Sequence, residues 1–266
     1  MAIPSDHVDH EIAWREAGNG DPIVFLHGLG GTRMAWEAQL TDLGDHYRCL
    51  AWDMPGYGGS RPVVPLTFEA IADAVARLLD LVEIDKAHLC GLSFGGQHAQ
   101  HVALRHPDRV NGLILVDTSP AFGLDGTDPD EWRASRLDAI DAGLTPAQIA
   151  ADVISSIAAP GFSGPEYDRA VAAFASIDPA GFRAACDCLV THDVRDRLGH
   201  IDVPALVVFG ELDFETPAAY SRLIADLIGE SELFEIAGAG HLVPSEAPEI
   251  LNALIRRFMA TTTVLG

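Results

Sequence analysis

A serine framed by glycines is the residue whose setting points most directly to chemistry in this chain. Ser93 lies in Gly91-Leu-Ser-Phe-Gly95, between a short apolar run at 87–90 and a segment with helical spacing at 96–105. A strand that turns sharply into a helix pushes such a hydroxyl out of the sheet, beside the free amides of the helix N-terminus. The pattern predicts an exposed nucleophilic serine, and therefore a serine hydrolase.

A nucleophilic serine needs a base, and the base needs an orienting carboxylate. When the two partners follow the serine in the order Asp, His, each comes after a late strand of the sheet. Asp213 follows an apolar run at 205–209, and His241 ends Gly-Ala-Gly-His after a run at 233–236. We predict His241 as the base and Asp213 as the acid. Asp117 is the rival acid, and its alternative role is a cap or turn.

A glycine-rich loop predicts the groups that would stabilise an oxyanion. His27-Gly-Leu-Gly-Gly31 comes directly after the apolar run at 22–26. The backbone N–H groups of Leu29 and Phe94 are predicted to form the oxyanion hole for a tetrahedral intermediate. His27 is a conceivable base, but its place before the glycines favours a hydrogen bond that orders the loop.

The remaining polar candidates receive structural interpretations. Asp53 lies in a Gly- and Pro-rich connection, where an aspartate is typical of a turn. His98 and His101, on the helix after Ser93, are interpreted as neutral or surface residues. An imidazole pKa of about 6.5 for His241 predicts that activity falls as the pH drops through that region, because only the neutral ring accepts the serine proton.

Apolar runs alternate with amphipathic segments along most of the chain, which is typical of a parallel sheet covered on both faces. The fold class is α/β, with a mostly parallel central sheet, helices on both faces and an inserted helical lid. An antiparallel strand is predicted at 12–16. The other predicted strands are 22–26, 47–52, 87–91, 112–116, 205–209 and 233–236, and the predicted helices are 34–43, 67–82, 95–106, 218–228 and 247–259.

The alternation stops between residues 121 and 200, where only helical stretches follow a Pro-, Gly- and Asp-rich entry. We therefore predict a core formed by residues 1–120 and 201–266, with a helical lid, or cap, at 121–200. Aromatic and imidazole side chains of the lid are candidates for substrate contact. Those singled out are Phe122, Trp132 and His192, with lid packing as the alternative for His192.

Bulk composition limits the classes of partner. The 266 residues contain 48% hydrophobic and 21% charged residues, and the formal net charge is −22. Such an acidic chain would repel nucleic acid, and no apolar run approaches the length of a membrane span. The start of the chain lacks the features of a secretory signal, and the four cysteines lack disulfide or zinc spacing. We expect a cytoplasmic protein with a small-molecule substrate, no metal and no cofactor, either monomeric or a homodimer.

The motifs together resemble those of the α/β-hydrolase family, in its serine-nucleophile branch. The resemblance extends from about Pro22 to Phe258 and is weakest through the lid. It is carried by the His27-Gly loop, Asp53-Met-Pro-Gly-Tyr-Gly-Gly-Ser60, Gly91-Leu-Ser-Phe-Gly95, Gly210-Glu-Leu-Asp213 and Gly240-His241. Serine at position 93 argues against the dehalogenase and epoxide-hydrolase branches, whose nucleophile is a carboxylate.

The style of the motifs is similar to that of 3-oxoadipate enol-lactonases and small-molecule carboxylesterases. The resemblance implies cleavage of a carboxylic ester or lactone through an acyl-serine intermediate. Two alternatives use the same scaffold: a C–C bond hydrolase acting on a vinylogous diketone, and a ligand-binding receptor or pseudo-hydrolase. The arginines of the lid are scattered and form no obvious cluster, so the sequence does not indicate whether a substrate carboxylate is recognised.

Overall fold

A single eight-stranded sheet forms the centre of the molecule, for which a computed structural model describes residues 3–9 and 11–262. The strands lie in the order β1-β2-β4-β3-β5-β6-β7-β8. Their bounds are β1 Ser5–Asp9, β2 Ile12–Ala17, β3 Pro22–Leu26, β4 Arg48–Trp52, β5 Ala87–Leu92, β6 Val110–Val116, β7 Ala205–Gly210 and β8 Ser231–Ile236.

The pairing of the strands confirms the predicted sheet. β2 is antiparallel to β4, and every pair from β4 through β8 is parallel. Each predicted strand lies within two residues of an observed one. The first strand, β1, was missed. Among the described strands its one partner is β2, and its side chains are mostly exposed. Its sequence therefore contains no continuous apolar run.

Two separate cores lie on the two faces of the sheet, because successive side chains of a strand point to opposite faces. The helices of the sheet region are α1 Glu37–Leu43, α2 Phe68–Leu81, α3 Phe94–Arg105, α8 Ala218–Leu227, α9 Val243–Glu246 and α10 Pro248–Thr262. In β3, Val24 belongs to the core that includes α2, α3 and α8, whereas Ile23 and Phe25 belong to the core that includes α1 and α10.

Two predicted helices need correction. The segment predicted as one helix at 34–43 begins as a 3-10 turn, Arg33–Trp36, before α1. The segment at 247–259 extends to Thr262 as α10 and is preceded by the short α9. Among the helices within residues 3–9 and 11–262, none combines the length and apolar character needed to cross a membrane.

Four helices lie between β6 and β7, and we call them the helical insertion. They are α4 Pro129–Asp141, α5 Pro146–Ile157, α6 Pro165–Ala175 and α7 Pro179–Leu189. Residues at the entry and the exit of the insertion pair side by side. Phe122 N donates to His192 O at 2.8 Å, and Val194 N donates to Pro120 O at 2.9 Å. The chain therefore enters and leaves the insertion through one narrow neck, formed by these paired segments.

A buried histidine lies beneath the active-site end of α3. His98 is fully buried, and neither of its ring nitrogens has a hydrogen-bond partner among the described residues. Its ring packs 4.1 Å from the Phe94 ring and 6.2 Å from that of Phe68. Burial, followed by the charges of neighbouring histidines, lowers the pKa of His98 well below 6.5. The expectation of a neutral residue agrees with this pKa, whereas a surface position is wrong.

His98 is expected to destabilise the fold as the pH falls below about 6.5, because the unfolded chain then binds a proton that the folded chain excludes. Substitution of His98 by Leu removes this effect and the two unpaired nitrogens. We expect His98→Leu to raise the Tm at pH 5 by about 2–4 °C, the shift that about 1 kcal/mol gives in a domain of this size, and to leave the Tm at pH 7 unchanged or higher.

Thermal unfolding followed by circular dichroism at both pH values measures this effect. His46 is exposed, so His46→Leu is the matched control and should keep the pH dependence of the original protein. A His98→Leu variant whose Tm falls as steeply between pH 7 and pH 5 as that of the unmodified chain would contradict the role assigned to His98.

Candidate active site

Ser93 occupies a strained turn between β5 and α3. Its backbone has φ +55° and ψ −119°, in the region that L-residues rarely adopt. Ser93 N donates to Val116 O at 2.9 Å, and Thr118 Oγ1 donates to Ser93 O at 2.7 Å. The end of β6 thus holds the serine backbone in place. Strain of this kind persists only where the surroundings fix it, and it is concentrated at functional sites.

Close packing of backbone explains why a glycine follows the serine at position 95. A Cβ atom on Gly95 would lie 2.0 Å from Leu26 O and 2.8 Å from His27 O, which is a severe clash. The first turn of α3 therefore packs directly against the end of β3. This contact brings the start of α3, of which Phe94 is the first residue, next to the residues that lead into the loop of Leu29. The first amides of a helix have no acceptor within the helix.

The glycine loop after β3 is ordered by His27. The buried ring donates from Nδ1 to Gly28 O at 2.8 Å and accepts from Met54 N at its Nε2, at 3.1 Å. With both nitrogens bonded to backbone, His27 orders the loop, as the sequence interpretation favoured. Tyr57 Oη donates to Leu29 O at 3.0 Å and holds the next peptide.

Asp53 is fully buried in the turn after β4. Its carboxylate accepts from Arg33 N at 2.8 Å and from Gly59 N at 2.9 Å, and it forms an ion pair with the Arg33 side chain. All of these contacts hold the turn together. The structural role predicted for Asp53 agrees with this environment.

His241 and Asp213 form a buried hydrogen-bonded pair. His241 Nδ1 donates to Asp213 Oδ2 at 3.0 Å. The carboxylate also accepts from Thr216 Oγ1 at 2.6 Å, and from the backbone N–H groups of Glu215 and Thr216 at 2.9 and 3.1 Å. Four donors therefore stabilise the ionised form of a carboxylate whose side chain has no solvent exposure.

The charges of this pair set its titration. Burial opposes both charged forms, but it is outweighed in each group by the attraction between the two and by hydrogen bonds. The pKa of Asp213 is lowered, and the pKa of His241 is raised to about 9, with smaller contributions from Asp117 and Glu215. The unperturbed value of about 6.5 predicted from the sequence is therefore wrong. The carboxylate of Asp213, held against the imidazole ring, raises the pKa of His241.

Asp117, the rival acid, supports backbone instead of the imidazole. It follows β6 with φ +44°, is fully buried, and accepts from Gly210 N at 2.8 Å and Val243 N at 3.4 Å. Burial, together with the negative charge of Asp213, raises the pKa of Asp117 well above its usual value. Of the two candidate acids, Asp213 is the one whose carboxylate accepts the hydrogen bond from His241 Nδ1.

The loop that contains His241 is fixed to the helical insertion by Glu246, a residue that the sequence analysis missed. The Glu246 carboxylate accepts from Gly240 N at 2.9 Å and Leu242 N at 2.8 Å, on either side of the histidine, and from Ala159 N at 2.8 Å. A Cβ atom on Gly240 would lie 2.5 Å from Ala159 N. An acidic residue five positions after the histidine was the available signal.

Two adjoining cavities meet at Ser93 and His241. Both are also lined by Trp132, Arg136, Leu189 and Glu215. The apolar cavity, of about 130 Å³, extends towards Leu29 and is lined by residues that include Val153, Ile154, Ile157, Ala173, Phe174 and Phe182. The polar cavity, of about 230 Å³, is lined by residues that include Gln97, Ser119, Asp125, Thr127, Thr216 and Tyr220.

The three proposed substrate contacts differ in position. Trp132 lines both cavities and Phe122 lines the polar one. His192 lines neither cavity. It is buried, donates from Nε2 to Ser119 O at 3.0 Å and accepts from His101 at Nδ1, at 3.1 Å. Because both nitrogens are occupied, the contacts of His192 agree with lid packing, the alternative interpretation, and its contact with substrate stays a prediction.

Arg136 and Glu215 also line both cavities and were missed. They form an ion pair, and the guanidinium lies 5.3 Å from the centre of the Trp132 ring. The spacing of four residues between Trp132 and Arg136 on one helix was the signal that could have identified Arg136. Among the described residues, no group of three or more His, Cys, Asp or Glu side chains is arranged to hold a metal ion.

The model of the alpha/beta hydrolase family matches residues 23–254. The chain belongs to this family. Among its curated relatives, 3-oxoadipate enol-lactonase 2 of Acinetobacter baylyi is 30% identical over 244 residues, which are 89% of each protein. The pimeloyl-[acyl-carrier protein] methyl ester esterase of Vibrio cholerae is 32% identical over 237 residues, covering 86% of this chain and 90% of that protein.

The fold also matches solved structures of the family. The enol-lactonase from Burkholderia xenovorans LB400 superposes with a TM-score of 0.84 at 26% identity, covering 96% of this chain and all of that one. The predicted α/β-hydrolase fold is therefore confirmed. The division of the chain into core and lid domains, and the roles of the individual site residues, stay predictions.

The titration of His241 is expected to depend on Asp213. NMR of the imidazole should give a pKa of about 9. Asp213→Asn removes the charge that stabilises the protonated ring but leaves the ring buried, so the pKa of His241 should fall. Asp125→Asn, at the mouth of the polar cavity, is a control of equal charge change. A titration of His241 near pH 9 in Asp213→Asn would contradict the pairing.

With His241 as the predicted base, Glu246→Ala is expected to lower kcat for p-nitrophenyl butyrate by roughly 10², with a smaller change in KM, because displacement of a base by about 1 Å costs that much rate. It should also lower the Tm by about 4–8 °C, since about 2 kcal/mol is lost when backbone amides lose their acceptor. Steady-state kinetics and thermal unfolding measure the two effects.

Two variants test whether the effect is specific to these contacts. Glu246→Gln keeps an acceptor oxygen and should lose less activity than Glu246→Ala. Glu249 is exposed, so Glu249→Ala removes the same charge nearby and should leave kcat as it was. A Glu246→Ala variant that loses stability but keeps full kcat would show that Glu246 does not position the histidine.

Proposed function

We propose that the protein is a serine hydrolase that cleaves a small-molecule carboxylic ester or lactone through an acyl-serine intermediate. The observation that carries the proposal is the His241–Asp213 pair, located beside Ser93 at the junction of two cavities. The names of the relatives support the same chemistry, since they include an enol-lactonase and a methyl ester esterase.

Each residue has a defined part in the proposed mechanism. Ser93 Oγ attacks the carbonyl carbon while His241 Nε2 accepts the hydroxyl proton. Asp213 holds the Nδ1–H tautomer and stabilises the imidazolium that forms. The amides of Leu29 and Phe94 donate hydrogen bonds to the oxyanion. Loss of one such donor typically lowers kcat by roughly 10² to 10³.

The cycle closes by hydrolysis of the acyl-enzyme. His241 returns the proton to the leaving alcohol, and then activates a water molecule that releases the acid from Ser93. No step needs a metal or an organic cofactor. Because only neutral imidazole accepts a proton, a His241 pKa of about 9 means that kcat/KM of the free enzyme rises with pH up to that region.

Ser93→Ala tests the proposal most directly. We expect the unmodified protein to hydrolyse short-chain p-nitrophenyl esters and lactones, and Ser93→Ala to lose at least about 10³-fold in kcat, because the variant lacks the nucleophile. Spectrophotometric turnover over a panel of esters, lactones and enol-lactones provides the measurement. Ser156 is exposed on α5, so Ser156→Ala is the matched control and should keep full activity.

Other outcomes would point to the alternatives. Turnover that persists in purified Ser93→Ala protein would refute the nucleophile. Labelling of Ser93 by a fluorophosphonate without turnover of any substrate would indicate a receptor on this fold. Rapid bleaching of a chromophoric vinylogous diketone, with no ester turnover, would indicate C–C bond hydrolysis.

A further inference from the structure

The polar cavity has a lining that the proposed reaction does not explain. Ester hydrolysis at Ser93 requires the nucleophile, the base and the oxyanion donors, but not Gln97, Ser119, Thr127 or Tyr220, which line this cavity. The neighbouring apolar cavity suits a hydrocarbon group, because aliphatic and aromatic side chains form most of its wall. The two cavities therefore differ in the chemistry that they can accept.

We propose that the polar cavity is the subsite for a hydroxyl- or amine-bearing, non-anionic half of the substrate, with the hydrocarbon half in the apolar cavity. This inference rests on the proposed function. It specifies the substrate class of that reaction as an ester whose two halves differ in polarity. Ser93 and His241 lie where the cavities meet, so the bond to be cleaved would lie between the two halves.

Gln97 provides the most specific support. Its side chain borders the polar cavity and is 4% exposed. Its Nε2 donates to Ser119 Oγ at 3.1 Å, while its Oε1 has no partner among the described residues. A buried amide oxygen without a donor is costly. Rotation of the side chain would bring this oxygen to the cavity, where an O–H or N–H group of a ligand would supply the missing hydrogen bond.

The charges around the cavity argue against an anionic half. Arg136 is the only Arg or Lys among the described residues that line either cavity, and its guanidinium is already paired with Glu215. Asp125 adds a second carboxylate at the exposed rim of the polar cavity. His241, which also lines both cavities, is likewise paired with Asp213. A substrate carboxylate would therefore meet two acidic side chains, and two basic groups that each already have a carboxylate partner, which is unfavourable.

Matched pairs of esters test the subsite. The first pair is 2,3-dihydroxypropyl hexanoate and propyl hexanoate. The second pair carries the same difference on the acyl side: hexyl 3,4-dihydroxybutanoate and hexyl butanoate. We expect a kcat/KM that is about 3- to 10-fold higher for the dihydroxy member of at least one pair, the factor that one net hydrogen bond provides. Carboxymethyl hexanoate should be a poorer substrate than propyl hexanoate.

Variants of Gln97 assign the preference to its oxygen. Gln97→Leu should reduce the ratio within the preferred pair to about 1, whereas Gln97→Glu keeps an acceptor and should retain the preference. Gln100 lies one turn further along α3, is buried and lines neither cavity. Gln100→Leu is therefore the matched control and should keep the original ratio. Each ratio compares kcat/KM for the two esters of a pair with the same variant, so a smaller fraction of folded protein does not change it.

The outcomes separate this inference from the proposed function. Turnover that depends on Ser93 but shows no preference in either pair, or a preference that Gln97→Leu leaves intact, overturns the polar subsite and leaves the function standing. Faster turnover of carboxymethyl hexanoate than of propyl hexanoate overturns the exclusion of anions. Calorimetry of the same esters with Ser93→Ala measures the preference without chemistry. A binding preference without turnover by the unmodified protein supports the subsite and refutes the function.

Discussion

The buried hydrogen bond between His241 and Asp213 is the interaction on which the rest of the site depends. A carboxylate and an imidazolium removed from water are each unfavourable alone. Here each stabilises the other. Two backbone amides and a hydroxyl from the loop after β7 donate the remaining hydrogen bonds to the carboxylate. The ends of β7 and β8 must be held at a fixed separation for this pair to form, and much of the surrounding polar structure does so.

Two further acids hold these chain segments, and neither contacts the imidazole. Asp117 joins Gly210, at the end of β7, to Val243, just after the histidine. Glu246 binds the amides on both sides of His241 and one from the helical insertion. Burial and the nearby charge of Asp213 raise the pKa of Asp117, whereas the pKa of Asp213 is lowered. The two neighbouring carboxylates thus differ in their partners: Asp117 braces backbone amides, and Asp213 binds the imidazole.

Sequence patterns were sufficient for the groups that follow strands of the parallel sheet. Ser93, Asp213 and His241 each come after an apolar run, and the carboxyl ends of parallel strands lie at one edge of a sheet, so their convergence was predictable. Side chains on the helical insertion were harder to place. Helical periodicity indicates that Trp132 and Arg136 share a face, but not whether that face lines a cavity or a core. The direction of a pKa shift also depends on spatial neighbours, as His241 illustrates.

The neck of the helical insertion has a consequence for how this scaffold tolerates change. β6 and β7 are adjacent parallel strands, and the chain leaves one and returns to the other through the paired segments at Ala121 and Asp193. The spacing of the strands is therefore set by the sheet and the neck, and not by the four helices beyond them. Insertions, deletions or exchange of those helices would remodel the two cavities while β6 and β7 kept their geometry, provided that the contact between Ala159 and Glu246, which fixes the loop of His241, is retained.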